Sequence, residues 1–290
     1  MLFKSYSFIL CLLSFSICPW WSNKVYGSDS LQPLNSSGGT WFYQPSYSDE
    51  FNALSLDSRK WDNAVPSWGK TWSWLPSNAY LSNGNLVLKA KHKKHIRHHN
   101  TLFQNKSQEG EYIPIELFYT SGIVKSKAPS IKYGYFEARI KSVPLFPGLV
   151  PAFWLYKING TKWTEIDIVE LNQKDNPHSI DMNLHVFQHP NISDGVRKKP
   201  GKHFYKYYSW TAPWDPRDEY HVYGCEWNKY TISWYIDGKL VHIQSNTYWD
   251  QGLDITLSLG IRKPFKGSNL PVPGTLSKAL VDYVRVWKRY

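Results

Sequence analysis

Three carboxylates, Glu165, Asp167 and Glu170, fall inside Lys162–Leu171 (KWTEIDIVEL), a run otherwise rich in apolar and β-branched residues. Such a run reads as a strand, in which successive side chains point to opposite faces. Glu165 and Asp167 then share a face, whereas Glu170, five positions after Glu165, would point away from it. One extra residue, a β-bulge near Ile168 and Val169, restores its direction. All three acids would line one face, with Ile166 and Ile168 packed behind. Charges so placed are costly on a buried face and tolerable in a water-filled cleft. An edge strand carrying solvated acids would not explain their convergence. Converging carboxylates suit glycoside hydrolysis, whose retaining form needs two carboxyl groups about 5–5.5 Å apart. One attacks the anomeric carbon, and the other protonates the leaving oxygen and then activates water. A middle aspartate would orient the attacking group and raise a neighbour's proton affinity by charge repulsion.

The surrounding pattern consists of elements that can position such a strand. From Trp41 onward, short aromatic and β-branched runs are punctuated by Gly, Pro, Asn and Asp. Ser82–Lys89 (SNGNLVLK) sets an Asn-Gly turn before a strand, and Tyr230–Val241 (YTISWYIDGKLV) reads as a hairpin turning at Asp237-Gly238. Tyr133–Lys141 (YGYFEARIK) alternates like a strand with one buried face, and Ala279–Trp287 (ALVDYVRVW) reads as the closing strand. No long helical periodicity interrupts them. The expectation is an all-β fold, an antiparallel β-sandwich in one domain of the 290-residue chain. The chain holds 15 Trp and 20 Tyr, more than a core of this size requires. The excess suggests flat amphipathic surfaces for a ligand with apolar faces and polar edges, as a sugar ring has.

Residues 1–27 read as a signal peptide. Lys4 supplies its positive start and Phe8–Ile17 (FILCLLSFSI) its apolar stretch, too short to span a bilayer, with a cut near Gly27. Acylation at Cys18 is the alternative, and Ile17 before it fits that poorly. Residues 28–40 read as a polar linker or arm, and residues 41–290 as the catalytic domain. No later stretch is long and apolar enough to cross a membrane. Beyond Cys11 and Cys18 only Cys225 remains, so the mature chain forms no internal disulfide, and Cys225 reads as a small buried hydrophobe. Net charge is +11, and loss of Lys4 and Lys24 with the leader leaves +9. With no nucleic-acid-binding motif present, that charge in a secreted chain points to a polyanionic polysaccharide, the alternative being a generally basic surface that serves solubility. Lys91–His99 (KHKKHIRHH) reads as a solvated loop between strands, with a polyanion-binding loop or a metal site as the functional alternatives. Its four histidines lack metal-site spacing.

Glu165–Glu170 (EIDIVE) resembles the bulged E-x-D-x-x-E signature of glycoside hydrolase family 16. The resemblance runs from about Trp41 to Trp287. It includes Asp49-Glu50-Phe51, Tyr133–Lys141, Pro151–Leu155 (PAFWL), Val222–Trp227 (VYGCEW) and Val281–Trp287 (VDYVRVW). It implies a jelly roll with a concave cleft and retaining endo-hydrolysis of β-linked glucans or galactans. By motif, Glu165 matches the nucleophile, Asp167 the assisting acid and Glu170 the acid/base. Trp154 matches a cleft tryptophan. Trp68 falls where galactanase branches place a stacking tryptophan, with Trp72 and Trp74 close enough to compete for that role. Trp163 and His185 complete the substrate-binding candidates, and His185 could equally be a buried structural residue. The bulged spelling is shared by β-porphyranases, β-agarases, κ-carrageenases and laminarinases, whereas lichenases usually have the shorter unbulged form. Charge ranks sulfated porphyran first, cleaved at β-1,4 linkages, with agarose second and κ-carrageenan or laminarin behind. A non-catalytic carbohydrate-binding sandwich should have lost one of the three acids. The resemblance implies no required cofactor and no catalytic metal. It allows a structural calcium that no acidic loop here marks. The expected protein is a secreted monomer.

Overall fold

The computed structural model describes residues 31–34, 38–68, 71–100, 112–159, 162–173, 175–188, 203–262, 264 and 276–290. The first strands are β1 (Phe42–Tyr43), β2 (Trp61–Asp62), β3 (Trp72–Trp74), β4 (Ala79–Ser82), β5 (Asn85–Asn100) and β6 (Tyr112–Ser121). There follow β7 (Ile123–Ser126), β8 (Gly134–Lys141), β9 (Leu149–Asn159), β10 (Lys162–Leu171), β11 (Ser179–Gln188) and β12 (His203–Thr211). The last are β13 (His221–Trp227), β14 (Thr231–Ile236), β15 (Lys239–Ser245), β16 (Asp254–Ile261) and β17 (Leu276–Lys288). One sheet runs β15-β14-β13-β8-β17-β5-β6-β3, with β1 and β4 paired to β17 and β5. The other runs β12-β11-β10-β9-β16-β7-β2. Pairing is antiparallel except between β3 and β6. The two sheets form the expected sandwich.

Two turns follow from their residue types. Asn83-Gly84 and Asp237-Gly238 have φ of 51°, 69°, 47° and 74°, the left-handed pair that a two-residue hairpin turn needs. The core lies between the sheets, where Ile166, Ile168 and Val169 from β10 join Phe136, Trp227 and Trp234 from the opposite layer. Cys225 is fully buried in that layer, and burial pushes its thiol well up, as a small core hydrophobe would behave.

Two expectations change, and the linker or arm of residues 28–40 is partly placed. Lys91–His99 is not a loop. It continues β5 and pairs with β6 across a bulge between His92 and His95. Lys91, Lys93, Lys94 and His98 are exposed, so no apolar alternation is imposed there, and the backbone ladder forms without one. Tyr133–Lys141 was expected to bury one face, but β8 is central in its sheet and buries nearly every residue. Part of the cover comes from the stretch expected as a linker. The Leu34 amide donates to Glu137 Oε2 (3.3 Å), Tyr135 donates its hydroxyl proton to the Leu34 carbonyl (3.1 Å), and Trp287 Nε1 donates to the Leu31 carbonyl (2.9 Å). Residues 31–34 are thus docked on the sheet. The expected leader, residues 1–27, lies outside the described residues. Among the described residues no helix is long and apolar enough to cross a membrane.

Candidate active site

Strand β10 lies between β9 and β11, and its register breaks where the parity of the acids demands. Against β11, Glu165 faces His185 and Glu170 faces Asp181, with a shift between Ile166 and Glu170. Against β9 the shift lies between Asp167 and Val169. Ile168 and Val169, adjacent in sequence, both enter the core, which returns Glu170 to the side of Glu165 and Asp167. A bulge interrupts ladder bonds, and buried indoles fix the backbone around it. Trp234 Nε1, from the opposite sheet, donates to the Asp167 carbonyl (3.1 Å), and Trp249 Nε1 donates to the Glu165 carbonyl (2.8 Å).

Each acid has distinct partners. Trp163 Nε1 donates to Glu165 Oε2 at 2.8 Å. His185 Nε2 lies 3.5 Å from Asp167 Oδ2 and 4.0 Å from Glu165 Oε1. Glu170 accepts from Asn183 Nδ2 (2.7 Å) and Gln173 Nε2 (3.3 Å), and Arg262 Nη2 stands 3.8 Å from its Oε1. Desolvation, then the nearby Asp167 carboxylate, pushes the Glu165 carboxyl up to about 8, against the pull of His185 and the Trp163 N–H. Burial and the charge of Glu170 raise Asp167 well above the usual range, with Arg262 opposing. Burial also raises Glu170, against Arg262 and Asn183. Burial thus makes all three carboxyls harder to ionise than free ones. The Trp163 N–H and His185 favour the ionised form of Glu165, and burial favours a proton on Glu170, so the cluster can offer one carboxylate and one carboxylic acid.

The walls are aromatic. Trp154 stacks on Tyr156 (centroids 4.5 Å apart) and donates to Ser258 Oγ (3.1 Å). Trp68 packs on Trp74 and Trp154 at 5.6 and 6.3 Å. Trp72 lies under the Arg262 guanidinium, 5.6 Å from its ring centre. A Cβ added at Gly260 would lie 3.1 Å from Arg262 Nη1, so glycine there leaves the guanidinium its place. The structure brings Glu165, Asp167, Glu170, Trp68, Trp154 and Trp163 to one cleft. Trp72 and Trp74 line it as well, so the competition with Trp68 dissolves into a shared wall. His185 stands beside the acids, its Nδ1 3.1 Å from His203 Nε2 and its ring stacked on Phe187. Sequence reasoning missed Arg262, Gln173 and His203, which lie outside the motif strand. Asn183, by contrast, has the parity of His185 and could have been placed with it. Among the described residues, Glu165, Asp167 and His185 also present ligand-type atoms within 4.8 Å of one another. A cation held there would occupy the carboxylates that a sugar must reach.

The raised proton affinity has a consequence for stability. Below pH about 4.5, Glu165 is protonated whether folded or unfolded. Between about 4.5 and about 8 the unfolded chain releases the proton and the native chain keeps it, so stability falls as pH rises and levels off above about 8. Glu165→Gln removes this slope. The variant should unfold at the same temperature as the wild type near pH 4 and at a higher one near pH 8. A wild type that is the more stable of the two at pH 8 would contradict the assignment.

The model of the family described as Beta-porphyranase A-D, GH16 domain, matches residues 41–289. The kappa-carrageenase of Pseudoalteromonas carrageenovora is 36% identical over 276 residues, covering 89% of this chain and 68% of that protein. The solved complex of the kappa-carrageenase from that organism with an oligotetrasaccharide of kappa-carrageenan superposes with a TM-score of 0.75 at 35% identity. That match covers 89% of this chain and 99% of the other. Beta-porphyranase E of Zobellia galactanivorans is 29% identical over 218 residues, covering 70% of this chain and 68% of that protein.

Proposed function

The chain belongs to glycoside hydrolase family 16 and is an endo-acting glycosidase with a jelly-roll sandwich; from that premise we propose that it is a retaining hydrolase of β-1,4 linkages in a sulfated red-algal galactan. In this reading the ionised form of Glu165, which His185 and the Trp163 N–H favour and which grows as pH rises towards about 8, attacks the anomeric carbon while Glu170 gives its proton to the leaving oxygen. A covalent glycosyl-enzyme forms, and Glu170 then takes a proton from the water that releases the sugar. Trp163 steadies the attacking carboxylate. Asp167, beside Glu165 and His185, is the assisting acid. Trp68, Trp154 and the neighbouring tryptophans offer faces for sugar rings. The steps use this chain's own carboxylates and no metal. A polymer of this kind is met outside the cytoplasm, in keeping with the leader expected over residues 1–27, and we take the acting form to be the monomer.

The observation that carries the sulfate is Arg262. Its guanidinium lines the cleft beside Glu170, with its side chain 39% exposed and its carboxylate contact long at 3.8 Å. A guanidinium so held keeps N–H donors for a second anion, and its planar fork matches sulfate. The ranking within sulfated galactans changes. Porphyran, first on charge alone, moves behind κ-carrageenan, because the relative matched over 89% of the chain is a kappa-carrageenase. Porphyran remains the second reading, on the description of the matching family model.

The test is reducing-end release from κ-carrageenan, porphyran, agarose and laminarin. The wild type should cleave a sulfated polymer best and lose kcat/KM on it as salt screens the charges. Arg262→Ala should lower kcat/KM on that polymer by about 10- to 100-fold, the worth of hydrogen bonds to a charged group. Agarose turnover should change far less. Equal losses on both polymers would mean that Arg262 serves Glu170 alone, and preference for laminarin or agarose would overturn the sulfated substrate.

A further inference from the structure

The cleft crosses strands rather than following one. Its walls and floor draw on Ser258 and Gly260 of β16, Trp154 of β9 and the acids of β10. Next in the sheet come β11, with Asn183 and His185, and then the edge strand β12. The register sets Tyr207 opposite Asn183 and Tyr205 opposite His185, so both tyrosines share the face that carries the acids. Their rings lie 4.9 Å apart, and Tyr207 meets the His185 ring at 5.4 Å. Both are open to solvent, at 53% for Tyr205 and 60% for Tyr207.

Two large aromatics left bare on an edge strand invite pairing with other chains, a liability that proteins ordinarily blunt with charge, Pro or short length. Their position beside the acids gives them a use. We propose that Tyr205 and Tyr207 form a stacking platform for galactan rings on the β12 side of the cleaved bond, which grips long chains and not short ones. Two strand spacings separate β10 from β12, about 10 Å, so the platform meets sugars beyond those touching the acids. Tyrosine suits the role. It offers an apolar face at low entropic cost and a hydroxyl for the rim of the ring. Tyr205 also borders a second groove, shared with His203, Gln244 and Tyr248 at the sheet edge.

This assignment rests on the galactan reading, and the two can fail separately. The test compares Tyr205→Ala/Tyr207→Ala with Tyr205→Phe/Tyr207→Phe on κ-carrageenan polymer and on its tetrasaccharide. The alanine pair should raise KM on the polymer about tenfold with little change in kcat, the phenylalanine pair should stay within about twofold, and the tetrasaccharide should respond weakly to either. The alanine pair should also leave a larger share of long products. Equal KM changes on polymer and tetrasaccharide, or no change, would overturn the platform while leaving the substrate intact. Phenylalanine as damaging as alanine would overturn stacking as its basis. A wild-type protein that cleaves none of the galactans would overturn the substrate, and the platform with it.

Discussion

Glu165→Gln is expected to lower turnover by about 10⁴-fold or more while oligosaccharide binding persists. Losses of that size accompany removal of a residue that forms a covalent intermediate, because the remaining groups cannot replace its bond. The amide keeps the shape of the side chain. Its oxygen can still accept from Trp163 Nε1, now 2.8 Å from the carboxylate. The cleft aromatics and Arg262 are untouched, so binding measured by calorimetry should remain within a few fold of the wild type. Proton NMR of the earliest wild-type products should show the β-anomer, since displacement at Glu165 and then by water inverts the centre twice. Purified variant retaining more than a tenth of wild-type activity would remove Glu165 from the nucleophile's role. An α-anomer at first release would remove the covalent step altogether.

Glu170→Ala should cost about 10²- to 10⁴-fold on the natural polymer, the span of general acid–base catalysis, and far less on an aryl glycoside whose leaving group departs without a proton. The sign of the pH dependence follows from the same role. The acid must be protonated, so wild-type activity should fall as pH rises through its pKa, which burial pushes up and Arg262 and Asn183 hold down. In the alanine variant that alkaline limb should vanish with the aryl substrate. Equal damage on both substrates, with the limb unchanged, would mean that Glu170 acts by holding Asn183 and Arg262 in place and not by moving a proton.

The parts of this molecule legible in its sequence are those governed by local periodicity. The mismatch between Glu165 and Glu170 required a bulge, and the register breaks between Asp167 and Val169. Asn83-Gly84 and Asp237-Gly238 announced their turns by the backbone angles that only a few residues tolerate. Properties set by distant chain segments were hidden. Arg262 lies just past β16, with no local pattern to mark it, and reaches Glu170 only because β16 and β9 bring it there. The basic Lys91–His99 stretch looked like a loop because it has neither apolar alternation nor a β-branched run, and a strand with so exposed a face needs neither. Tyr205 and Tyr207 gave no sign of their side, since that depends on pairing with β11.

The bulge also bears on how such strands can change in length over evolutionary time. Deleting a residue between Glu165 and Asp167 would throw those two acids to opposite sides of the sheet and end the chemistry in one step. Deleting Ile168 or Val169 would not. The spacing would become E-x-D-x-E, which alternates strictly and keeps all three acids together, the shorter spelling of the motif. The damage would fall instead on the core, where two apolar side chains become one, and on the fit of Trp234 to the Asp167 carbonyl. A lineage could absorb such an indel by repacking, one ordinary substitution at a time, without passing through a form that lacks a carboxylate. The two motif lengths are therefore neighbours in sequence space, joined at the only point in this strand where the reading frame of side chains can slip and the active site survive.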